Sequence, residues 1–201
     1  MLTLLTIRDR LLEHLPPAIP AATAARRAAV AVILRGVASA APEILFIKRA
    51  EHAGDPWSGH MAFPGGHFDA TDDSLTDTAI RETREEIGLD LTRHGELIGR
   101  IEHEQAAPPS RPAGMLVAPY VFALDSSPPL VLSHEVAAVV WTPLQRLVAG
   151  VDHTRQQRYG RGALGTFPGY LVGDGHFVWG LTYRMLHTFL RAVEPAWQPP
   201  D

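Results

Sequence analysis

Apolar and polar positions alternate along this chain with two different periods, which predicts an α/β fold. Apolar runs rich in β-branched residues are typical of buried strands, and they lie at 27–35, 44–48, 97–102, 116–124 and 136–141. A hairpin is expected to pair 171–172 with 177–178 across a Gly-Asp-Gly turn. Helical spacing predicts helices at 6–15, 144–148 and 181–193. Strands interleaved with a few helices indicate a mixed sheet sandwiched between helices.

The breaks between these elements suggest how the chain is organised. Residues 106–114 are rich in proline and small residues and predict a loop, and 151–165, with three arginines and several glycines, predict a mobile loop. We therefore divide the chain into an N-terminal helix and linker (1–26), a main domain (27–192) and a C-terminal tail (193–201).

Composition narrows the functional classes. The 201 residues are 46% hydrophobic, enough for a sizeable core, and the net charge of -4 argues against a protein that binds duplex nucleic acid through a basic face. The absence of cysteine excludes disulfides, thiolate metal sites and cysteine nucleophiles. The apolar run at 2–7 is too short for a signal sequence or a membrane span. We expect a soluble cytoplasmic protein with neither a nucleic-acid nor a membrane partner.

The segment 81–89 carries the strongest chemical signal. At 100° per residue, Glu82, Glu85 and Glu86 fall within an arc of roughly 100° on one helix face. Like charges at this spacing destabilise an isolated helix by about 0.2–0.5 kcal/mol. A hard divalent cation that prefers oxygen ligands, Mg²⁺ or Mn²⁺, would relieve that repulsion. The alternative is a solvated helix face on which Arg81 and Arg84 partly neutralise the glutamates.

The flanking residues favour the cation. Gly65-Gly66 forms a break that brings bare backbone close to a ligand. Asp72 or Asp73 is expected to cap the helix. The apolar side of the helix lies beside the acidic stripe, so one flank can be buried while the other faces a cleft; it comprises Leu75, Ala79, Ile80, Thr83 and Ile87.

This loop–helix–loop resembles the Nudix box, Gly-x5-Glu-x7-Arg-Glu-U-x-Glu-Glu-x-Gly-U, in which U is aliphatic. Six residues match it in register: Arg81, Glu82, Glu85, Glu86, Gly88 and Leu89. Three positions depart from it. Asp73 stands where the first glutamate is expected, Thr83 replaces an aliphatic residue, and His67 takes the place of the first glycine. Gly65-Gly66 therefore lies one residue too early, as if the loop contained one inserted residue.

The resemblance implies the Nudix fold, an α/β/α sandwich with a mixed β-sheet, and the hydrolysis of a diphosphate linked to another moiety. It implies that Glu82, Glu85, Glu86 and the carbonyl of Gly65 bind Mg²⁺ or Mn²⁺, and that Arg81 holds the acidic stripe in place.

The general base is left open by the sequence. Any of the three box glutamates could serve, and a second candidate is Glu135, in a loop just before the strand at 136–141. Its neighbour His134 is a weaker candidate. The alternative for Glu135 is an ordinary acid of a surface loop.

The substrate is suggested by a second resemblance. The segments 47–50, 59–66 and 178–182 are similar to those of coenzyme A pyrophosphatases in the Nudix superfamily, although a basic residue of that group is missing between Arg49 and Gly59. We predict substrate contacts from Arg49, Trp57 and Arg111. Trp57 is interpreted either as a stacking partner for adenine or as a core or lid residue.

Other functions remain open. The substrate is a small-molecule nucleoside diphosphate derivative, and the alternatives to coenzyme A are ADP-ribose or a dinucleotide. A non-catalytic nucleotide-binding module is a further alternative, although such modules usually lose a box glutamate. The N-terminal helix could support a homodimer.

Overall fold

The computed structural model describes residues 2–18, 26–36, 42–54, 57–106, 114–160 and 163–200. Most of the predicted loop at 106–114, including Arg111, lies outside these ranges. The helices are α1 Leu4–Glu13, α2 Leu75–Ile87, α3 Leu91–His94, α4 Leu144–Val148 and α5 Gly180–Val193. The strands are β1 Arg27–Arg35, β2 Glu43–Arg49, β3 Met61–Ala62, β4 Gly65–His67, β5 Gly95–Arg100, β6 Glu104–Ala106, β7 Met115–Leu124, β8 Val136–Pro143, β9 His153–Gly160, β10 Ala163–Val172 and β11 His176–Trp179.

The main sheet is mixed, as predicted. Its central order is β3-β2-β1-β7-β5, and β4, β6 and β8 pair with β1, β7 and β2 respectively. β1 and β7 run parallel, whereas the other pairs in this sheet are antiparallel. Three further strands form a second antiparallel sheet in the order β11-β10-β9.

Helices cover both faces of the main sheet. Along β1, Val32 and Leu34 belong to the core shared with α1, α4 and α5, whereas Ala31 and Ile33 belong to the core shared with α2 and α3. Successive strand residues point to opposite faces, so an uninterrupted apolar run serves two cores at once. The predicted α/β/α sandwich is confirmed.

The prediction of a mobile loop at 151–165 is wrong. Residues 153–160 pair with 163–170 in a regular antiparallel register, from His153 opposite Tyr170 to Gly160 opposite Ala163. Strand β9 is rich in arginine and glutamine, so it lacks the period-2 apolar pattern that identifies a strand in a sequence. Backbone pairing and the burial of Tyr170 hold the hairpin instead.

Both ends of the chain pack against the main domain. On α1, Ile7 and Leu11 are buried, and Leu11 lies where a side chain at Gly99 of β5 would otherwise stand. Near the C-terminus, Trp197 is buried and donates its indole N–H to the carbonyl of Val148. Among the helices of the described residues, none has the length and apolarity needed to cross a bilayer.

Candidate active site

Helix α2 carries the acidic stripe between two well-defined ends. Ser74 caps its N-terminus by accepting the backbone N–H of Asp77. Gly88 ends it in the left-handed conformation at φ +68°. The predicted caps, Asp72 and Asp73, are wrong. Asp73 is exposed, and the carboxylate of Asp72 is taken by another partner.

That partner is Arg81, which uses all five of its N–H donors. Nε and Nη2 bind the two oxygens of Asp72 at 2.9 and 3.0 Å. Nη1 reaches Glu82 and Glu85 at 2.9 and 3.1 Å, and Nη2 also donates to the carbonyl of His67. Because a guanidinium presents its donors in one rigid plane, these contacts fix its orientation. The hydrogen bonds from Arg81 hold the pKa of Asp72 well below its usual range.

The Asp72–Arg81 pair also settles the departure from the box pattern. The pattern put Asp73 at the position of the first glutamate, but the acid that meets Arg81 in space is its neighbour, Asp72. The side chain of Asp72 is only 4% exposed, and it accepts a further hydrogen bond from the hydroxyl of Thr78 at 2.8 Å.

Glu86 is the most deeply buried acid of the stripe. It is 3% exposed, and among the described residues its carboxylate receives one hydrogen bond, from the backbone N–H of Gly65 at 2.9 Å. The pKa of Glu86 is raised to about 8, mainly by burial; the charges of Glu82 and Glu135 add to this shift, whereas the Gly65 N–H and the charge of Arg49 oppose it. The groups around Glu86 therefore compensate its negative charge only in part.

Glu82 lies against the glycine corner. Its carboxylate is so close to Gly66 that a Cβ there would stand 2.4–2.6 Å from its atoms. At Gly65 a Cβ would stand 2.2 Å from the carbonyl oxygen of Ala29, and φ is +150°. Gly65 therefore requires glycine, whereas a side chain at Gly66 would have to displace the Glu82 carboxylate. Burial also raises the pKa of Glu82, although the hydrogen bond from Arg81 opposes this shift.

Glu85 differs from the other two acids because its side chain is 59% exposed and pairs with Arg81 at the rim. Within the described part of the chain, no three acidic or histidine side chains already surround one point as a ready-made metal site. Nevertheless, the buried carboxylate of Glu86 and the half-buried carboxylate of Glu82, beside the backbone of Gly65-Gly66, offer oxygen donors that fit a hard divalent cation.

Glu135 lies in the loop before β8, which is held close to the acidic stripe. Its loop is tied to the last turn of α2, because the N–H groups of Val131 and Ser133 donate to the carbonyls of Ile87 and Glu86 at 3.0 and 2.9 Å. Its own carbonyl accepts the N–H of Ala50 at 2.7 Å, next to Arg49. The side chain of Glu135 is exposed, and its charge acts on both Glu82 and Glu86.

The predicted substrate residues are placed unequally. Arg49 lies at the end of β2, and its charge favours the ionised form of Glu86. Trp57 is half-buried, and its carbonyl accepts the N–H of His60 at 3.1 Å. His134 is exposed, with its ring 6.4 Å from that of His52. Arg111 lies outside the described residues.

Sequence reasoning missed the partner of Arg81 and the backbone hydrogen bonds that hold the segment 131–133 to the end of α2. We expected Asp72 to cap the helix and not to pair with Arg81, although its spacing of nine residues from Arg81 is visible in the sequence. The segment 131–133 cannot be recognised from its side chains, because its bonds to α2 come from backbone N–H groups, which every residue except proline has.

The family of the chain is shown by a match to a family model. The model of the NUDIX domain matches residues 25–164, more than half of the chain. The chain belongs to the Nudix family. Its relatives include an uncharacterized protein of Schizosaccharomyces pombe, 36% identical over 78% of this chain, of which the chain spans only 53%.

Further Nudix relatives carry more specific names. The mitochondrial coenzyme A diphosphatase NUDT8 of Homo sapiens is 31% identical over 88% of this chain and 74% of its own length. An uncharacterized Nudix hydrolase, NudL, of Photorhabdus laumondii is 29% identical over 96% of this chain and its full length. These Nudix hydrolase relatives indicate pyrophosphohydrolase activity.

The fold agrees with solved Nudix structures. A MutT/nudix family protein from Enterococcus faecalis superimposes with a TM-score of 0.52 at 18% identity, covering 96% of this chain and 70% of that one. At this identity the likeness concerns the fold alone.

Proposed function

We propose that this Nudix chain hydrolyses the diphosphate bond of coenzyme A, or of a related nucleoside diphosphate derivative, with Mg²⁺ or Mn²⁺ as cofactor. The burial of Glu86 beside Glu82 at the Gly65-Gly66 corner carries the proposal. Two carboxylates held there are costly in their charged forms without a cation. The name of the human relative, 31% identical, supports coenzyme A as the substrate.

In this proposal the cation is held by Glu82, Glu85, Glu86 and the carbonyl of Gly65. Once bound, it would neutralise charge on the diphosphate and acidify the attacking water. The N–H of Gly65 already donates to one oxygen of Glu86. The atom of Gly65 that would bind the cation is therefore its carbonyl oxygen. Glu85 is exposed and can change rotamer.

The remaining residues orient the site and receive protons. Arg81 fixes the direction of Glu82 through its pair with Asp72. A general base must lie within hydrogen-bond reach of the water, directly or through a second water. Glu135, an exposed acid facing the stripe from another element, is a candidate beside the three box glutamates. Arg49, at the end of β2, and Trp57 are proposed to contact the substrate, together with Arg111.

The test compares the parent with Glu86→Gln on a panel of diphosphates: coenzyme A, dephospho-coenzyme A, ADP-ribose and a dinucleotide. Products are read by mass, with Mg²⁺, Mn²⁺ or a chelator. We expect metal-dependent cleavage of coenzyme A, and a turnover lowered by several orders of magnitude in Glu86→Gln. The matched control is Glu96→Gln, since Glu96 is a surface acid of β5 paired with Arg8.

The outcomes separate the alternatives. A small loss in Glu86→Gln, with the fold intact by circular dichroism, would show that the metal site is misassigned. Preference for ADP-ribose or a dinucleotide would retain the reaction and replace the substrate. An inert parent that still binds nucleotide would identify a binding module. Preference for coenzyme A over dephospho-coenzyme A would point to recognition of the 3'-phosphate.

A further inference from the structure

Three aromatic side chains form a cluster that begins next to the end of β2. The ring centroid of Trp179 lies 4.9 Å from that of His60 and 4.9 Å from that of Phe167. All three residues are partly exposed. We call this cluster the aromatic ledge. Partly exposed aromatic rings that cluster in this way are unusual unless they meet a ligand or a partner.

Two of the three aromatic residues, Phe167 and Trp179, belong to strands of the second sheet. In the register of β10 and β11, Gly169 is opposite Trp179, and Phe167 lies two residues before Gly169 on the same face. A Cβ at Gly169 would stand 2.7 Å from the ring of Phe177, so the glycine makes room for that buried ring on the same face. The Phe177 ring therefore supports the ledge, while Phe167 and Trp179 stay partly exposed beside it.

The ledge is continuous with the proposed catalytic cleft. The carbonyl of His60 accepts the backbone N–H of Arg49 at 3.0 Å, and the charge of Arg49 acts on Glu86. The hydroxyl of Thr182, in the first turn of α5, donates to the carbonyl of Met61 at 3.0 Å and fixes this end of the helix to β3. The ledge therefore begins at a residue that is hydrogen-bonded to Arg49, whose charge acts on the acidic stripe.

Polar groups flank the rings on the same face. Gln156 is opposite Phe167 and Arg158 is opposite Gly165 in the register of β9 and β10. The two side chains are joined by a hydrogen bond of 2.5 Å, and the Arg158 guanidinium lies 5.2 Å from the Phe177 ring centroid. An amide and a cation at the rim of an aromatic surface suit a ligand with an apolar face, polar edges and negative charge.

We infer that the aromatic ledge binds the nucleobase of the substrate by stacking, with Trp179 as its central ring. This inference rests on the proposed function, since the ledge takes the base when the diphosphate lies at the acidic stripe. A base suits the ledge because every base presents a π-face, and the edge of the base can hydrogen-bond to Gln156. The ledge replaces Trp57 as the primary stacking residue.

The first test measures binding without catalysis. AMP is titrated into the parent, Trp179→Leu and Trp179→Phe in the presence of a chelator, with tryptophan fluorescence as the readout. We expect AMP to quench the parent, and we expect Trp179→Leu to lose most of the quenching and to bind about 5- to 100-fold more weakly by calorimetry. Trp179→Phe should restore most of the affinity, because phenylalanine still stacks.

Trp141→Leu is the matched control. Trp141 is also partly exposed, but it lies under Arg35, 4.0 Å from the guanidinium carbon to the ring centroid, far along β8 from the cleft. It should bind AMP like the parent. If Trp179→Leu binds AMP with parental affinity, or if Trp57→Leu causes the loss instead, the inference is overturned. Circular dichroism and melting curves check that each variant is folded.

The second test uses the kinetics of coenzyme A cleavage. Trp179→Leu should raise KM by about 5- to 100-fold and leave kcat within a few-fold of the parent. A fall in kcat at unchanged KM would overturn the inference. If the parent cleaves no diphosphate but AMP binding still depends on Trp179, the proposed function fails and the ledge stands. If the parent is active and Trp179→Leu matches it in both tests, only the ledge fails.

Discussion

The pair of Asp72 and Arg81 allows the sharpest prediction, because an adjacent acid provides its control. Asp72→Asn removes the charge that receives two hydrogen bonds from Arg81 at 2.9 and 3.0 Å. Breaking a fully buried pair costs about 3–5 kcal/mol. The Asp72 side chain is 4% exposed but that of Arg81 is 28% exposed, so water can partly replace the lost partner. We therefore expect a loss of about 2–3 kcal/mol in the free energy of unfolding.

The loss should appear both in stability and in activity. For a chain of this size, about 2–3 kcal/mol lowers Tm by roughly 4–12 °C. Released from Asp72, Arg81 no longer fixes the direction of Glu82. Loss of such a supporting partner typically lowers metal affinity or activity by about 10- to 100-fold. Thermal unfolding followed by circular dichroism and steady-state kinetics at several Mn²⁺ concentrations measure the two effects.

The control is Asp73→Asn, which makes the same change of charge one residue away. Asp73 is exposed, so its substitution should change stability by less than about 0.5 kcal/mol and leave activity unchanged. The box pattern alone predicts the opposite order, since it aligns Asp73 with the first glutamate. Equal effects of the two substitutions, or a larger effect of Asp73→Asn, would refute the assignment of Asp72 as the partner of Arg81.

The pH dependence gives an independent check. Because the pKa of native Asp72 lies below its unfolded value of about 3.9, its contribution to stability is fully present above that value and declines as pH falls. The difference in unfolding free energy between the parent and Asp72→Asn should therefore be constant from pH 5 to 7 and shrink below about pH 4. A difference that grows as pH falls would contradict this reasoning.

Three further predictions concern other parts of the chain. Gly66→Ala should displace the Glu82 carboxylate and lower kcat/KM by at least about 100-fold, since the new Cβ would stand 2.4–2.6 Å from it. Trp197→Ala should lower the unfolding free energy by about 3–5 kcal/mol, because a buried ring and its hydrogen bond to Val148 are lost. Burial lowers the pKa of His187 to about 4, so stability should fall as pH drops from about 6.5 to 4, and His187→Gln should remove that part of the dependence.

Each of these has a control and a contrary result. At Gly175 a Cβ meets nothing within 4 Å, although φ is +87°. Gly175→Ala should therefore lower stability without changing kcat/KM, and an equal loss of kcat/KM there would show that general destabilisation, and not displacement of Glu82, lowers activity. Trp141→Ala should cost much less than Trp197→Ala in chemical denaturation. The matched substitution for His187→Gln is His94→Gln, because His94 is only half-buried and its ring shares a hydrogen bond with Ser126. A parental profile in His187→Gln would contradict the assignment of His187.

The acidic stripe was predictable because helical geometry alone fixes the relative directions of Glu82, Glu85 and Glu86. The sandwich was predictable for a similar reason, since apolar runs such as 27–35 serve two cores. The unequal burial of the three acids was not predictable from the sequence. It depends on Gly65 and Gly66, which β1 holds against the helix, and that register is a tertiary property.

The misjudged segments share one physical cause. The hairpin of β9 and β10 and the pairing of Asp72 with Arg81 both depend on partners brought together by the fold, so local composition reports them poorly. Residues 155–158 were expected to form a loop because all four are polar, so the strand shows no alternation of apolar and polar positions. The same hairpin supplies Phe167, and its partner strand ends in Trp179. The surface to which we assign the base therefore includes the hairpin that the sequence predicted wrongly. This agrees with the general rule that tertiary contacts, more than local propensity, position site residues.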